Sequence, residues 1–307
     1  MMEQPPHEPN LTEATVAHLN YIPGLGPCGR RNAALLQART PWVFLVDGDV
    51  KPAATCLPTL LEAALGRPDV AAVSPRILDA RTGLVLHDAG GAHFLGDLCL
   101  ENRQADGDSA GTCARSPGAA SSAAWLVRRD WALACGLFDE SLEVYRDDLD
   151  FSLRVRALGA CLLHVPQALA FHDRSPRAHP ADLRRSRVRL QGRNRWLVLL
   201  KLMRVKTLAL TLPLQILYEF LSAARCLRDG RPFEPLVWWI EILRALPATF
   251  RARRSFSRLR RIGDAELFGA PPLSWSEEIQ ARPGARWAKA GLDALSRAHW
   301  KLISPWL

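Results

Sequence analysis

The feature that most constrains this chain is the run Trp42-Val43-Phe44-Leu45-Val46, closed by Asp47-Gly48-Asp49. Five consecutive apolar residues read as a short β-strand, of the kind that alternates with helical patterns in an α/β sheet. Open α/β sheets bind ligands at the carboxyl ends of their strands, where this run delivers two carboxylates. Successive strand residues point to opposite faces, so Asp47 and Asp49 share a side, and Gly48 leaves room for a ligand to approach the backbone. Mg²⁺ or Mn²⁺ takes oxygen ligands and bridges them to a diphosphate. A surface turn made of Asp and Gly has the same letters, so the motif needs partners elsewhere.

The surroundings extend the α/β pattern. Residues 30–175 alternate short β-rich runs with helical spacing, and strands are expected at 42–47, 70–74, 123–128 and 161–165. Pro52 is expected to open a helix whose Leu57, Leu60, Leu61 and Ala64 make one apolar face, with Gly66 and Pro68 ending it. The Gly-, Asp- and Ser-rich stretch from Asp79 to Pro117 is read as a hairpin excursion carrying short segments at 84–87 and 92–95.

A hydrophobic fraction of 48% over 307 residues excludes general disorder. The formal charge of +9 is unevenly placed, with 21 Lys/Arg against 5 Asp/Glu in residues 174–261. Seven cysteines without a CxxC pair argue against a disulfide framework or a zinc site, and fit a reducing cytoplasm. The basic region holds apolar stretches at 196–221 and 236–250, each interrupted by charges, and neither reads as a clean bilayer span. Helices lying in the membrane interface, or dipping in at Pro213, fit better, with Trp196, Trp238 and Trp239 as interface anchors. Arg251, Arg253, Arg254, Arg258, Arg260 and Arg261 would then face anionic head groups. A soluble helical subdomain with a solvated basic face is the alternative. A nucleic-acid partner is not expected, because the cations alternate with Leu, Ile and Trp runs rather than with stacking aromatics in polar loops.

A second acidic group, Asp147-Asp148-Leu149-Asp150, opens a helix with Leu149, Leu153 and Ala157 on one side. Carboxylates at a helix N-terminus stay ionised, which suits a general base or an anchor for a sugar hydroxyl, and equally a simple cap. His172 ends the run Ala168-Leu169-Ala170-Phe171, where an imidazole could ligate a metal or contact a phosphate.

Taken in order, Gly29-Arg30-Arg31-Asn32, Phe44-Leu45-Val46-Asp47-Gly48-Asp49, Val127-Arg128-Arg129, Gly136-Leu137-Phe138-Asp139-Glu140, Asp147-Asp148-Leu149-Asp150, Arg154 and His172 resemble glycosyltransferase family 2. The spacing is that of the rhamnosyltransferase-like members with a GT-A fold. Gly192-Arg193-Asn194-Arg195, Leu246-Pro247 and Arg251 to Arg254 look like the membrane-associated C-terminal region of bacterial members.

The resemblance implies an inverting, metal-assisted transferase. It would move a sugar from a UDP-, GDP- or dTDP-linked donor to a hydroxyl of a glycan or lipid-linked acceptor, at the cytoplasmic face of the inner membrane. It makes Asp148 the catalytic base and gives Mg²⁺ or Mn²⁺ to Asp49 with Asp47 and His172. Arg31, Asn32 and Asp47 would lie at the nucleotide, with Asp139, Asp147 and Asp150 on the acceptor side or in support. The implied fold class is an α/β, Rossmann-like GT-A mixed sheet, N-terminally truncated and followed by amphipathic membrane-associated helices.

The resemblance also predicts a nucleobase-binding βαβ lobe before Arg31, where this chain has only a mostly polar segment with no expected strand. A fragment, a further subunit supplying the missing lobe, or a non-catalytic membrane-bound scaffold would each account for that. The expected divisions are 1–23 as a polar segment, 24–180 as a partial GT-A-like domain, 181–262 as basic amphipathic helices and 263–307 as a tail. A strand ending in Asp47-Gly48-Asp49-Val50 also resembles the nucleophile motif of haloacid dehalogenase phosphohydrolases. Those enzymes need a downstream Lys, and none stands between residues 52 and 200.

Overall fold

The structure, a computed structural model, describes residues 13–20, 22, 24–87, 90–100, 118–173, 181–275 and 280–307. Cys113, the first twelve residues and the later part of the expected excursion lie outside these.

A mixed sheet organises the first half, in the order β1 (Ala14–Leu19), β2 (Trp42–Asp47), β8 (Ala124–Arg128), β4 (Val70–Asp79), β9 (Cys161–His172), β3 (Val50–Pro52), with β5 (Val85–His87) added to β4. β1 runs parallel to β2, β8 runs antiparallel to both β2 and β4, and β9 is parallel to β4. The period of two in β2 works on both faces. Val43 and Leu45 enter a core beneath α1 (Pro27–Gln37) and α3 (Arg129–Ala134), while Trp42, Phe44 and Val46 enter one shared with α2 (Cys56–Ala64). The run is therefore apolar throughout because both of its faces are covered.

Three expectations about strands and their connections change. The segment before Arg31 does hold a strand, β1, paired along its length with β2 from Ala14↔Trp42 to Leu19↔Asp47. Its sequence, ATVAHL, is hidden from pattern reading because the edge position leaves Val16 and His18 in solvent. Thr15 is tied to Thr40 by N–H and hydroxyl contacts of 2.9 and 2.7 Å. Pro52 does not open α2. It closes β3, which pairs with β9 through Val50↔His172 at the end of the sheet order, a place where a missing N–H is tolerated. In the excursion, the segment expected at 92–95 is instead a turn between β6 (Gly90–Ala92) and β7 (Leu98–Leu100), with Phe94 and Leu95 driven into the core.

α4 (Asp147–Ala157) is buried on both sides rather than amphipathic. Leu149, Leu153 and Ala157 face the helical half, and Phe151 and Val155 face the sheet. The helical half comprises α5 (Ala181–Leu202), α6 (Val205–Arg228), α7 (Glu234–Leu259), the short α8 (Asp264–Leu267) and α9 (Ala285–Ile303). A single core cluster runs from Ala92 through α4 to Leu292 of α9, and Trp300 stacks on Phe94 at 5.3 Å.

The tryptophans expected at a membrane interface are turned inward. Trp196 and Trp238 are buried, and the indole N–H groups of Trp196, Trp238 and Trp239 all donate to Glu219, at 2.9, 2.8 and 3.0 Å. Arg195 adds a fourth donor to that carboxylate at 2.5 Å. A carboxylate offers about four lone-pair directions, and here four donors take them. Two cations of the basic cluster also point inward. Arg253 donates to the carbonyls of Leu200 and Met203, and Arg260 to that of Leu202, satisfying the C-terminus of α5.

α6 continues unbroken through Pro213. It is the one helix among the described residues long and apolar enough to cross a membrane. Leu212, Ile216 and Phe220 of α6 and Leu236, Ile240 and Leu243 of α7 are exposed, at helical spacing along one stripe of each.

Candidate active site

Arg31 of α1 joins the two acidic motifs. Its guanidinium donates to Asp47 at 2.8 and 3.1 Å from one nitrogen and to Asp147 at 2.5 Å from another. The residue is 3% exposed, and its guanidinium carbon lies 5.5 Å from the centre of the Phe138 ring. The end of β2 and the start of α4 are thus held together by a planar fork that can bridge two carboxylates.

Asp148 follows directly. Its Oδ1 accepts the N–H of Leu149 at 2.8 Å, and burial together with the neighbouring Asp147 charge pushes its pKa up to about 7. A carboxyl tuned to that range suits a proton acceptor working near neutral pH. Burial also raises Asp47, against the opposing pull of Arg31.

Asp49 stands just past β2, opposite the end of β9. His172 Nε2 lies 3.3 Å from Asp49 Oδ2, and the main chain of Asp173 donates to Asp49 at 2.8 Å. Two cis ligands at about 2.1 Å from one small cation stand about 3.0 Å apart, so this carboxylate–imidazole pair fits two positions of a divalent ion. Asp47, turned to Arg31, does not converge on them. Among the described residues no group of three or more His, Cys, Asp or Glu is gathered for a metal, so any further ligands would come from the bound substrate or water. The space at Gly48 is taken by the protein itself: a Cβ there would lie 3.3 Å from Asn20 Oδ1.

The remaining expected residues have inward partners. Asn32 donates to the Phe138 carbonyl at 3.0 Å and Glu140 at 2.8 Å, and accepts the Phe138 N–H at 2.8 Å. Asp150 is fully buried between Arg154 at 2.7 Å and Lys201 at 2.5 Å. Lys201 also contacts Asp139. Burial pushes Asp139 up, and the Lys201 ammonium more than offsets it, so that its pKa falls to about 2. Asp139 and Asp150 thus brace α5 against the α/β half.

The loop before Asp147 carries three non-glycine residues in the left-handed region, Glu143 (φ 60°), Tyr145 (φ 69°) and Arg146 (φ 64°). Such conformations persist only where surrounding contacts impose them. Here α5 imposes them. Asn194 donates to the carbonyls of Leu142, Val144 and Tyr145 at 2.7 to 2.9 Å. Arg193 donates to Ser141 and Leu142 and pairs with Glu143 at 2.7 Å. Arg146 is fixed by Asp97 at 2.6 Å and the Gln191 carbonyl at 3.2 Å. The sequence marks Gly192-Arg193-Asn194-Arg195 as a motif, but its role as the brace of the Asp148 loop is visible only in three dimensions.

The chain belongs to glycosyl transferase family group 2, whose family model matches residues 42–251. That match sets aside the phosphohydrolase reading of Asp47-Gly48-Asp49. The chain matches no curated protein sequence. Among solved structures, it is similar to GalNAc-T7 with UDP, GalNAc and Mn2+, with 13% identity and a TM-score of 0.44 over 57% of this chain and 34% of that one. This chain therefore spans about a third of that structure. It is also similar to the mannosyltransferase PcManGT from Pyrobaculum calidifontis in complex with GDP-Man and Mn2+, with 17% identity and a TM-score of 0.36, covering 92% of this chain and 67% of that one.

Proposed function

We propose that the chain is an inverting glycosyltransferase that uses a nucleotide-sugar donor and a divalent cation, with Asp148 as the base. The observation that carries this is the placing of Asp148, its pKa pushed up to about 7, beside an Arg31 bridge to the Asp47-Gly48-Asp49 strand end. Asp148 takes the proton from the acceptor hydroxyl as its oxygen attacks the anomeric carbon. The bond from that carbon to the donor diphosphate breaks, and the nucleoside diphosphate leaves with the electron pair. One in-line displacement inverts the carbon. Asp49 and His172 would hold Mg²⁺ or Mn²⁺, which supplies charge neutralisation at the diphosphate. Arg31 orients Asp47 and Asp147, and Asn194 and Arg193 keep the Asp148 loop in place.

The exposed apolar stripes of α6 and α7 support a membrane-facing side, with Arg251, Arg254, Arg258 and Arg261 as the solvent-facing cations of the basic cluster. A glycan or lipid-linked acceptor presented at the cytoplasmic face of a membrane fits that side. The direct test is Asp148→Asn, assayed with a panel of UDP-, GDP- and dTDP-sugars in Mn²⁺. Transfer should be lost while donor binding persists; undiminished turnover would overturn the assignment of the base.

A further inference from the structure

Burial and the Asp147 charge raise the pKa of Asp148, while the Leu149 N–H, Arg31 and Arg146 pull it down. Two cations therefore act on the proposed base, one from α1 and one from the loop before α4. A carboxylate that pairs with a guanidinium has its pKa lowered by about 1–3 units and is a correspondingly poorer base. Each of these guanidiniums is instead claimed by other carboxylates. Arg31 is taken by Asp47 and Asp147, and Arg146 by Asp97, a residue with no part in the proposed reaction.

Arg146 Nη2 lies 2.6 Å from Asp97 Oδ1, its Nε donates to the Gln191 carbonyl at 3.2 Å, and its Nη1 donates to the Gly96 carbonyl. All three nitrogens of the guanidinium are thus engaged by the turn between β6 and β7 and by α5. The second oxygen of Asp97 accepts the Tyr218 hydroxyl of α6 at 2.6 Å. The Arg146 and Asp97 side chains are 14% and 16% exposed, so water and salt screen the pair little.

Asp97 is itself rigidly placed. The His93 N–H donates to the Asp97 carbonyl and the Gly96 N–H to that of His93, both at 2.8 Å. Gly96 has a φ of 82°, and a Cβ there would stand 2.8 Å from Arg195 Cγ, so α5 passes directly over the turn. Arg195 and Gln215 donate to the carbonyls of Leu95 and Phe94 at 3.1 and 2.8 Å, which ties the turn to α5 and α6.

We propose that Asp97 is a positioning residue for Asp148. By taking the Arg146 guanidinium, with Tyr218 fixing its other oxygen, it keeps that cation from pairing with the base and holds Arg146 in the left-handed conformation from which α4 starts. The inference rests on Asp148 acting as the base.

The two ends of the ion pair should move Asp148 in opposite directions. Asp97→Asn keeps the outline of the side chain but leaves the Arg146 charge uncompensated, so Asp148 should ionise at lower pH. Arg146→Gln removes a cation, so Asp148 should ionise at higher pH. Each shift should be at least about half a pH unit, with the double variant between the two. The carboxyl ¹³C shift of Asp148 in the full chain, labelled at aspartate, reads this directly, and the signal is assigned by its loss in Asp148→Asn. The rising limb of the pH–rate profile should follow the same order. In Asp97→Asn the plateau kcat should fall roughly threefold to tenfold, with the donor KM changed less than about threefold.

Asp97→Glu, which retains the charge, should keep the Asp148 titration near that of the parent. Shifts of the same sign in Asp97→Asn and Arg146→Gln, or an unmoved Asp148 with only a lower thermal midpoint, would mark a purely structural contact and overturn the proposal. If one variant fails to fold, the sign of the shift in the other still decides. The titration needs no turnover, so a chain whose Asp148 shifts as stated but which consumes no nucleotide sugar counts against the transferase reading alone. A chain that turns over with Asp148 unmoved counts against this inference alone.

Discussion

Arg31 and Asp147 meet at 2.5 Å with both side chains buried, and the same guanidinium holds Asp47. Among the described residues, neither carboxylate has a second cation within ion-pair distance. Arg31→Ala should therefore destabilise the fold by about 3–5 kcal/mol, the cost of leaving a buried charge without its partner. Urea unfolding measures this, and a loss under 1 kcal/mol would show the bridge to be dispensable. Arg31→Lys should recover only part of the stability, because a single ammonium cannot reproduce the fork.

As the proposed base, Asp148 would act only when ionised, so kcat should climb as pH rises through about 7. Burial is the first cause of that raised value and the Asp147 charge the second. Asp147→Asn removes the second, and the rising limb of the pH–rate profile should move to lower pH. A profile that stays in place, or moves upward, contradicts the coupling.

Asn194 touches no reacting group, yet it holds three carbonyls of the strained loop. Asn194→Ala leaves those carbonyls short of a donor at about 1–3 kcal/mol, and should lower kcat more than it raises KM. Asn194→Asp replaces the donor by an acceptor and should be worse. A purely structural role would lower the thermal midpoint while leaving kcat and its pH profile unchanged in the fraction that remains folded.

Asp49 and His172 are predicted to share the divalent ion. Asp49→Asn and His172→Gln should each raise the Mn²⁺ concentration needed for half-maximal donor binding, as titration calorimetry would show. The double variant should be little worse than the more damaging single one, since both remove the same site. Unaltered Mn²⁺ dependence in both single variants would move the ion elsewhere.

Glu219 accepts from three indoles and one guanidinium. Glu219→Leu strands the Arg195 charge, whose side chain is 2% exposed, and should cost about 3–5 kcal/mol by chemical denaturation. Glu219→Gln keeps one acceptor oxygen and replaces the other with a donor, so an intermediate loss is expected.

The parts of this molecule legible from its letters are those set by local pattern. β2 announces itself because every residue is apolar and its end is marked by Asp47-Gly48-Asp49. β1 does not, since an edge strand with Val16 and His18 in solvent carries a weak alternation in both polarity and size. α4 has apolar residues on two faces, and its one-sided reading misses that it lies between two cores. The acidic motifs stand out by composition, but the Arg31 bridge between them joins residues far apart in the chain. The tryptophans show the converse. Their neighbourhood of charges is the same for a membrane anchor and for a buried hub, and only the position of Glu219 decides between them.

The order in which the ribosome delivers this chain matters to its site. Asp49 emerges early, but its partner His172 arrives on β9, after the rest of the sheet has been made. The brace on the Asp148 loop comes later still, from Arg193 and Asn194 on α5. A nascent chain ending between β9 and α5 would hold both acidic motifs and the Asp49–His172 pair, but not the brace on the Asp148 loop. The helical half is therefore part of the proposed site rather than only an anchor for it.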